Sequence, residues 1–213
     1  MGSMTKFILA RHGETLWNVE KVYRGRTDVD LDEVGIKQAE LLGKYLNKWE
    51  LEAIYSSPLK RALDTANIIA RYQKVSVHVA EGLIDFDYGE WQSLPEQEAK
   101  RLYPTLHNEW HNNPHKVTMP SGESLEDVRK RAIEVVNDVL SKCQGSVVLV
   151  SHRVVNKVLI CSLLGLDNSH FWNIKQDVGG ITIFNYVEGR FVLTRHNDTS
   201  HLKELQKSIL DDF

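Results

Sequence analysis

The sequence is short of cysteine, with only Cys143 and Cys161, both inside apolar-periodic stretches. This excludes a disulfide framework and suits small buried thiols in a reducing compartment. No apolar run approaches the roughly 20 residues of a membrane span, so no membrane is expected as a partner. Charge of one sign is also lacking. A formal net charge of -3 gives no electrostatic case for nucleic acid or an anionic surface. Any basic patch must be local, as in a pocket for an acidic ligand. No internal repeat or low-complexity tract occurs. No secretory signal follows Met1-Gly2-Ser3, which ahead of Met4 resembles an expression scar. A cytoplasmic location is the default expectation.

The 213 residues suffice to bury most of their apolar surface without a metal or disulfide staple. They read as a single domain over 4–213. Short β-rich runs are expected over 6–10, 53–56, 76–80, 146–151, 181–187 and 190–195, with helical periodicity between most of them. Asp32 is placed to cap a helix to about Lys48, with Ile36, Ala39, Leu42 and Leu46 on one face. Pro58 suits the first turn of a helix to about Tyr72. Ser124 suits the cap of a long helix to Lys142, and a further helix follows His152 and ends near Gly165. This alternation predicts a three-layer α/β sandwich, with a mainly parallel sheet, helices on both faces and an antiparallel edge strand closing through Glu188-Gly189. Four of the five prolines fall in 93–122 and break the alternation. That stretch is expected to be a lid-like insertion over the carboxyl end of the sheet.

Reactive side chains gather at strand ends. The run Phe7-Ile8-Leu9-Ala10 ends in Arg11-His12-Gly13. A second run ends in Ser56-Ser57, putting Arg61 in the first turn of the next helix, and Val147-Val148-Leu149-Val150 ends in Ser151-His152-Arg153. Carboxyl ends of strands are where ligands sit in open α/β sheets. Arginine offers a planar fork suited to phosphate, and histidine carries protons or attacks near neutral pH. Between these ends, the loop from Leu83 to Trp91 brings Asp85, Asp87 and Glu90 around Gly89. All of these can converge on one pocket.

The order and separation of these motifs give a specific resemblance. RHGETLWN (11–18), YRGRTDVDL (23–31), SSPLKRALDTA (56–66), the acidic loop, GESLEDVRKR (122–131) and SHRVVNKVL (151–159) identify the chain as similar to the histidine phosphatase superfamily. The branch resembled includes cofactor-dependent phosphoglycerate mutases and small-molecule phosphatases, such as those acting on α-ribazole phosphate. The match covers nearly the whole chain after Met4.

That resemblance implies a division of labour. His12 attacks phosphorus through one ring nitrogen to form a phosphohistidine, while a backbone carbonyl holds the other. Arg11, Arg61 and His152, with Asn18, bind the non-reacting oxygens, which is what a positioning and charge-stabilising phosphoryl transfer needs. Asp85 stands where the family more usually has glutamate and is expected to be the acid that protonates the leaving oxygen. Asp87 is expected to hold its loop, and Glu90 to be a solvated surface group. Arg24, before Gly25, replaces a common glutamine, and Arg153 replaces a common glycine. Both could add positive charge to the substrate site, or be surface arginines paired with local acids. No cofactor or metal is implied. His107, His111 and His115 recur every four residues, but Pro114 breaks the pattern, so a polar lid helix is the expectation there. His196 and His201 are assigned to a polar tail without a role.

The expected activity is therefore a metal-independent phosphomonoesterase acting on a small phosphorylated metabolite. The alternatives are a phosphoglycerate mutase, a phosphoprotein phosphatase and a non-catalytic phosphate-binding module. The short insertion favours hydrolysis over the mutase, and the joint presence of His12 with its arginines opposes the non-catalytic module. Dimers are common in the family, so a homodimer is implied by resemblance alone.

Overall fold

In the computed structural model, which describes residues 4–208, the apolar run at the amino terminus becomes β1 (Thr5–Arg11), deep in a six-stranded sheet. Met1-Gly2-Ser3, read as an expression scar, lies outside the described residues. The other elements are α1 (Leu16–Val19), α2 (Glu33–Leu46), β2 (Leu51–Ser56), α3 (Lys60–Gln73), β3 (Val77–Val79), α4 (Glu96–Leu102), α5 (Pro104–Asn112), α6 (Leu125–Lys142), β4 (Ser146–Ser151), α7 (Arg153–Leu163), β5 (Ile181–Val187) and β6 (Arg190–Asp198). The strand order is β3-β2-β4-β1-β5-β6. The first four strands pair in parallel, β5 runs against β1, and the β5–β6 hairpin forms the antiparallel edge pair.

Strand pleating divides the apolar side chains between two cores. Ile8, Ala10, Val148 and Val150 face one side and pack with Leu42 and Leu46 of α2 and Ala62, Ala66 and Ile69 of α3. Phe7, Leu9, Val147 and Leu149 face the other, against Val128, Val136 and Val139 of α6 and Val155, Val158 and Leu159 of α7. These are the three layers. The helix caps follow the sequence: Asp32 accepts from the Gly35 N–H, and Ser124 from the Asp127 N–H. The helix expected to begin at Pro58 instead begins at Lys60, because Leu59 keeps an extended backbone.

The connections position the site. After β1 the chain crosses one face through α2 to β2, beyond β4, and after β4 it crosses the other face through α7 to β5. The two crossings leave in opposite directions, so a crevice opens above the paired ends of β1 and β4, where Arg11 sits opposite Ser151.

Segment 93–122 is less polar than expected. It contains α4 and α5, and its Trp110 is fully buried, stacked on Phe86 and in edge contact with Trp172. The α5 helix is therefore not a polar lid helix; one face carries Trp110 and His107 into the aromatic core. His196 and His201, assigned to a polar tail, both have places in ordered structure. His196 is part of β6, and His201 bonds through Nε2 to the Gly179 carbonyl at 3.0 Å.

Candidate active site

His12 and His152 leave adjacent strands one residue past the same register point, and their ring centroids are 5.1 Å apart. The His12 N–H donates to the Ser151 carbonyl at 3.0 Å, which ties the two turns together. His12 is buried, and its Nδ1 lies 2.7 Å from the Gly13 carbonyl oxygen. A carbonyl only accepts, so Nδ1 carries the proton and Nε2 presents a lone pair. Burial, then Arg61, His152, Arg11 and Arg24, holds the His12 pKa well below the ordinary histidine value. The lowered value favours the neutral imidazole with Nε2 unprotonated.

Gly13 allows this turn to exist. A Cβ there would collide with the backbone of Gly35, and one on Gly35 would collide with that of Glu14. The first turn of α2 thus lies directly on the loop after His12. Gly13 also donates to Thr65 Oγ1 at 3.1 Å, locking the loop to α3. On the other side Gly179 donates to the His12 carbonyl at 3.2 Å, and Arg11 to the Gly180 carbonyl at 3.1 Å, so the glycine pair brings backbone against the site.

Arg61, in the first turn of α3, is fully buried. It donates to the carbonyls of Gly25 at 2.7 Å and Thr27 at 3.0 Å and to Asp85 Oδ2 at 2.9 Å. Its Nε makes no hydrogen bond among the described residues. Arg11 is also fully buried and donates to the Gln176 carbonyl at 2.8 Å. His152 Nε2 lies 2.7 Å from Ser57 Oγ, and its Nδ1 is 3.5 Å from Asp85 Oδ2. Burial first, then Arg61, lowers the His152 pKa well below its usual value.

Asp85 meets both the arginine and the histidine while its Oδ1 accepts from the Phe86 N–H at 2.8 Å. The loop that carries it is fixed by Arg131, which donates to the carbonyls of Gly82, Ile84 and Asp85 at 2.8, 2.6 and 3.2 Å and pairs with Glu123. Asp87 accepts from the Gly89 N–H at 2.9 Å and lies 3.4 Å from Arg26, so it braces the loop. Glu90 is on the surface and accepts from the Tyr103 hydroxyl.

A narrow pocket opens onto His12 and Asp85, lined also by Val22, Tyr23, Arg24, Gly25, Tyr88, Arg153 and Val154. Both departures from the family pattern, Arg24 and Arg153, therefore reach this pocket rather than the outer surface, each 8% exposed. Asn18 is buried but not among the lining residues; its Oδ1 accepts from the backbone and hydroxyl of Thr15. Sequence reasoning assigned no part to Ser57, Arg131 or Gln176. Ser57 and Arg131 do fall inside the matched motifs, which was the available signal. A larger groove of about 880 Å³ between β3 and α6 takes in Arg131 but none of Arg11, His12, Arg61, Asp85 or His152.

Residues 7–199 match the family model for the histidine phosphatase superfamily, branch 1. The chain belongs to that superfamily. It is 39% identical over 202 residues to phosphoserine phosphatase 1 of Hydrogenobacter thermophilus, covering 94% of this chain and 96% of that protein. Among solved structures it resembles Bacillus stearothermophilus YhfR, with a TM-score of 0.89 and 33% identity, covering 93% of this chain and all of the other. It also resembles a mutant phosphoserine phosphatase of Entamoeba histolytica solved with phosphoserine, with a TM-score of 0.83 and 31% identity over 93% and 99% of the two chains.

Proposed function

We infer that this histidine phosphatase hydrolyses a small phosphorylated metabolite through a phosphohistidine on His12, without a metal ion in the chemistry. The observation that carries the reading is the hydrogen bond from His12 Nδ1 to the Gly13 carbonyl, which leaves a neutral, unprotonated Nε2 beside a pocket also lined by Asp85. Nε2 attacks phosphorus and the ester oxygen leaves with a proton. Water then attacks the phosphohistidine, and inorganic phosphate departs. Arg11, Arg61, His152 and Asn18 hold the non-reacting oxygens.

Asp85 is the proton donor: it lines the pocket with His12 and is held in place by Arg61. In the second step the same carboxylate takes a proton from the attacking water.

The substrate class we favour is a phosphorylated metabolite with a second anionic group, phosphoserine being the first to test. Arg24 and Arg153 in the pocket lining, and the phosphoserine phosphatases among the relatives, support it. Two buried free cysteines suit a reducing, cytoplasmic location, and no helix among the described residues is long and apolar enough to cross a membrane.

The test is a panel of phosphomonoesters assayed in EDTA with the wild type and His12→Ala. Hydrolysis that is retained in EDTA and lost in His12→Ala is expected. Activity that survives the substitution, or vanishes with the chelator, would overturn the mechanism. Including 3-phosphoglycerate with 2,3-bisphosphoglycerate separates free phosphate from isomer formation, the mutase outcome.

A further inference from the structure

The α4 and α5 helices bring together three metal-ligating side chains outside the phosphoryl site. His107 and His111, at i and i+4, share one face of α5, with ring centroids 4.4 Å apart. Glu96 in the first turn of α4 meets them, and one donor atom from each of the three lies within 4.8 Å of the others. His107 is only 8% exposed, yet Nε2 of both histidines is buried without a hydrogen-bond partner among the described residues. Buried polar atoms are normally paired. Two imidazoles with orphaned nitrogens, meeting beside a carboxylate, have the character of a ligand set.

The rings are held from behind. Trp91 stacks on His107 at 5.9 Å and Trp172 on His111 at 5.3 Å, which fixes both imidazole planes.

We propose that Glu96, His107 and His111 bind a zinc ion, with water as the fourth ligand. Two imidazoles and one carboxylate suit Zn²⁺, whose tetrahedral bonds of about 2.0–2.1 Å need only small rotamer adjustments from this spacing. The nearby Glu109 and His115 are not in the set: Glu109 accepts from Asn113, and His115 is exposed beyond Pro114. The ion joins α4 to α5 and, through the Trp91 stack, to the loop that bears Asp85. Its role is to order segment 93–122, and no bond made or broken at His12 uses it.

The test is zinc titration of tag-free, EDTA-stripped protein at neutral pH by calorimetry, with tryptophan fluorescence reporting on Trp91 and Trp172. One ion per chain is expected, with a dissociation constant below about 10 μM. Glu96→Gln, which is nearly isosteric, and His111→Ala should each weaken it at least about tenfold. Zinc should raise the melting temperature of the wild type and not of these variants. Hydrolysis in EDTA should persist in all three proteins. The His12→Ala chain is titrated in parallel to detect an ion held by the His12–His152 pair. Binding unchanged in both Glu96→Gln and His111→Ala, binding lost only in His12→Ala, or binding no tighter than millimolar would overturn the proposal.

Discussion

Replacing Asp85 with asparagine separates its proposed role as proton donor from its contact with Arg61. The asparagine carbonyl can still accept from the Phe86 N–H, as Asp85 Oδ1 does at 2.8 Å. Its amide then points NH₂ at a guanidinium that also only donates, where Oδ2 accepted at 2.9 Å. Arg61 keeps two carbonyl partners, Gly25 and Thr27. The loss is thus one charge-assisted hydrogen bond, about 1.5–3 kcal/mol. For a chain of this size that lowers the melting temperature by about 3–12 °C, so the variant is folded in an assay at room temperature. On phosphoserine or another alkyl phosphate, where the leaving oxygen needs a proton, turnover should fall by about 10²–10⁴-fold. On an aryl phosphate with an activated leaving group, phosphorylation of His12 needs no acid, and the burst of aryl alcohol should stay within about tenfold of wild type. Rapid-quench kinetics on the two substrates measures both. An equal loss on both would mean that Asp85 acts by holding Arg61, and it would refute the assignment of Asp85 as the acid.

Other expectations follow from the same contacts. Gly13→Ala drives a methyl into the Gly35 backbone, so stability should fall by about 1–3 kcal/mol and turnover by about a hundredfold from displacement of His12; wild-type turnover would contradict the close approach. Arg131→Met removes the anchor of three carbonyls in the acid loop, and turnover of alkyl phosphates should fall more than the burst with an activated ester. A uniform loss would place Arg131 in general stability only. Because His12 and His152 are held below the ordinary histidine value of 6.5, the unfolded chain takes up protons below that pH that the folded chain refuses. Stability should therefore be highest above about pH 6.5 and fall by up to about 1.4 kcal/mol per pH unit for each histidine below it, until their folded values are reached. Urea midpoints at about pH 7.5, 6.0 and 5.0 check this, and a flat profile would refute neutral burial of the pair.

The parts legible in the sequence were those with local causes. Short apolar and β-rich runs marked the strands, Asp32 and Ser124 marked helix starts, and the strand ends placed Arg11, His12, Arg61 and His152 near one another. Asp87 also reads locally, since it braces its own turn through Gly89. The helix start at Pro58 was misjudged because Leu59 keeps an extended backbone, a choice not visible in residue type. The polar reading of α5 failed because Trp110 and His107 are drawn inward by Phe86, Trp91 and Trp172, partners far away in the chain.

The sequence by itself determined the layered α/β class, the family and the residue types of a phosphohistidine site. Pleat, helix period and motif spacing are short-range properties written into neighbouring residues. Only the tertiary structure decided that Arg24 and Arg153 line the pocket, that Ser57 and Asp85 both meet His152, and that Glu96 joins His107 and His111. Each of these depends on how strands order across the sheet and which helix faces pack together. Such contacts are set by the shared burial of distant segments, and no local pattern encodes them.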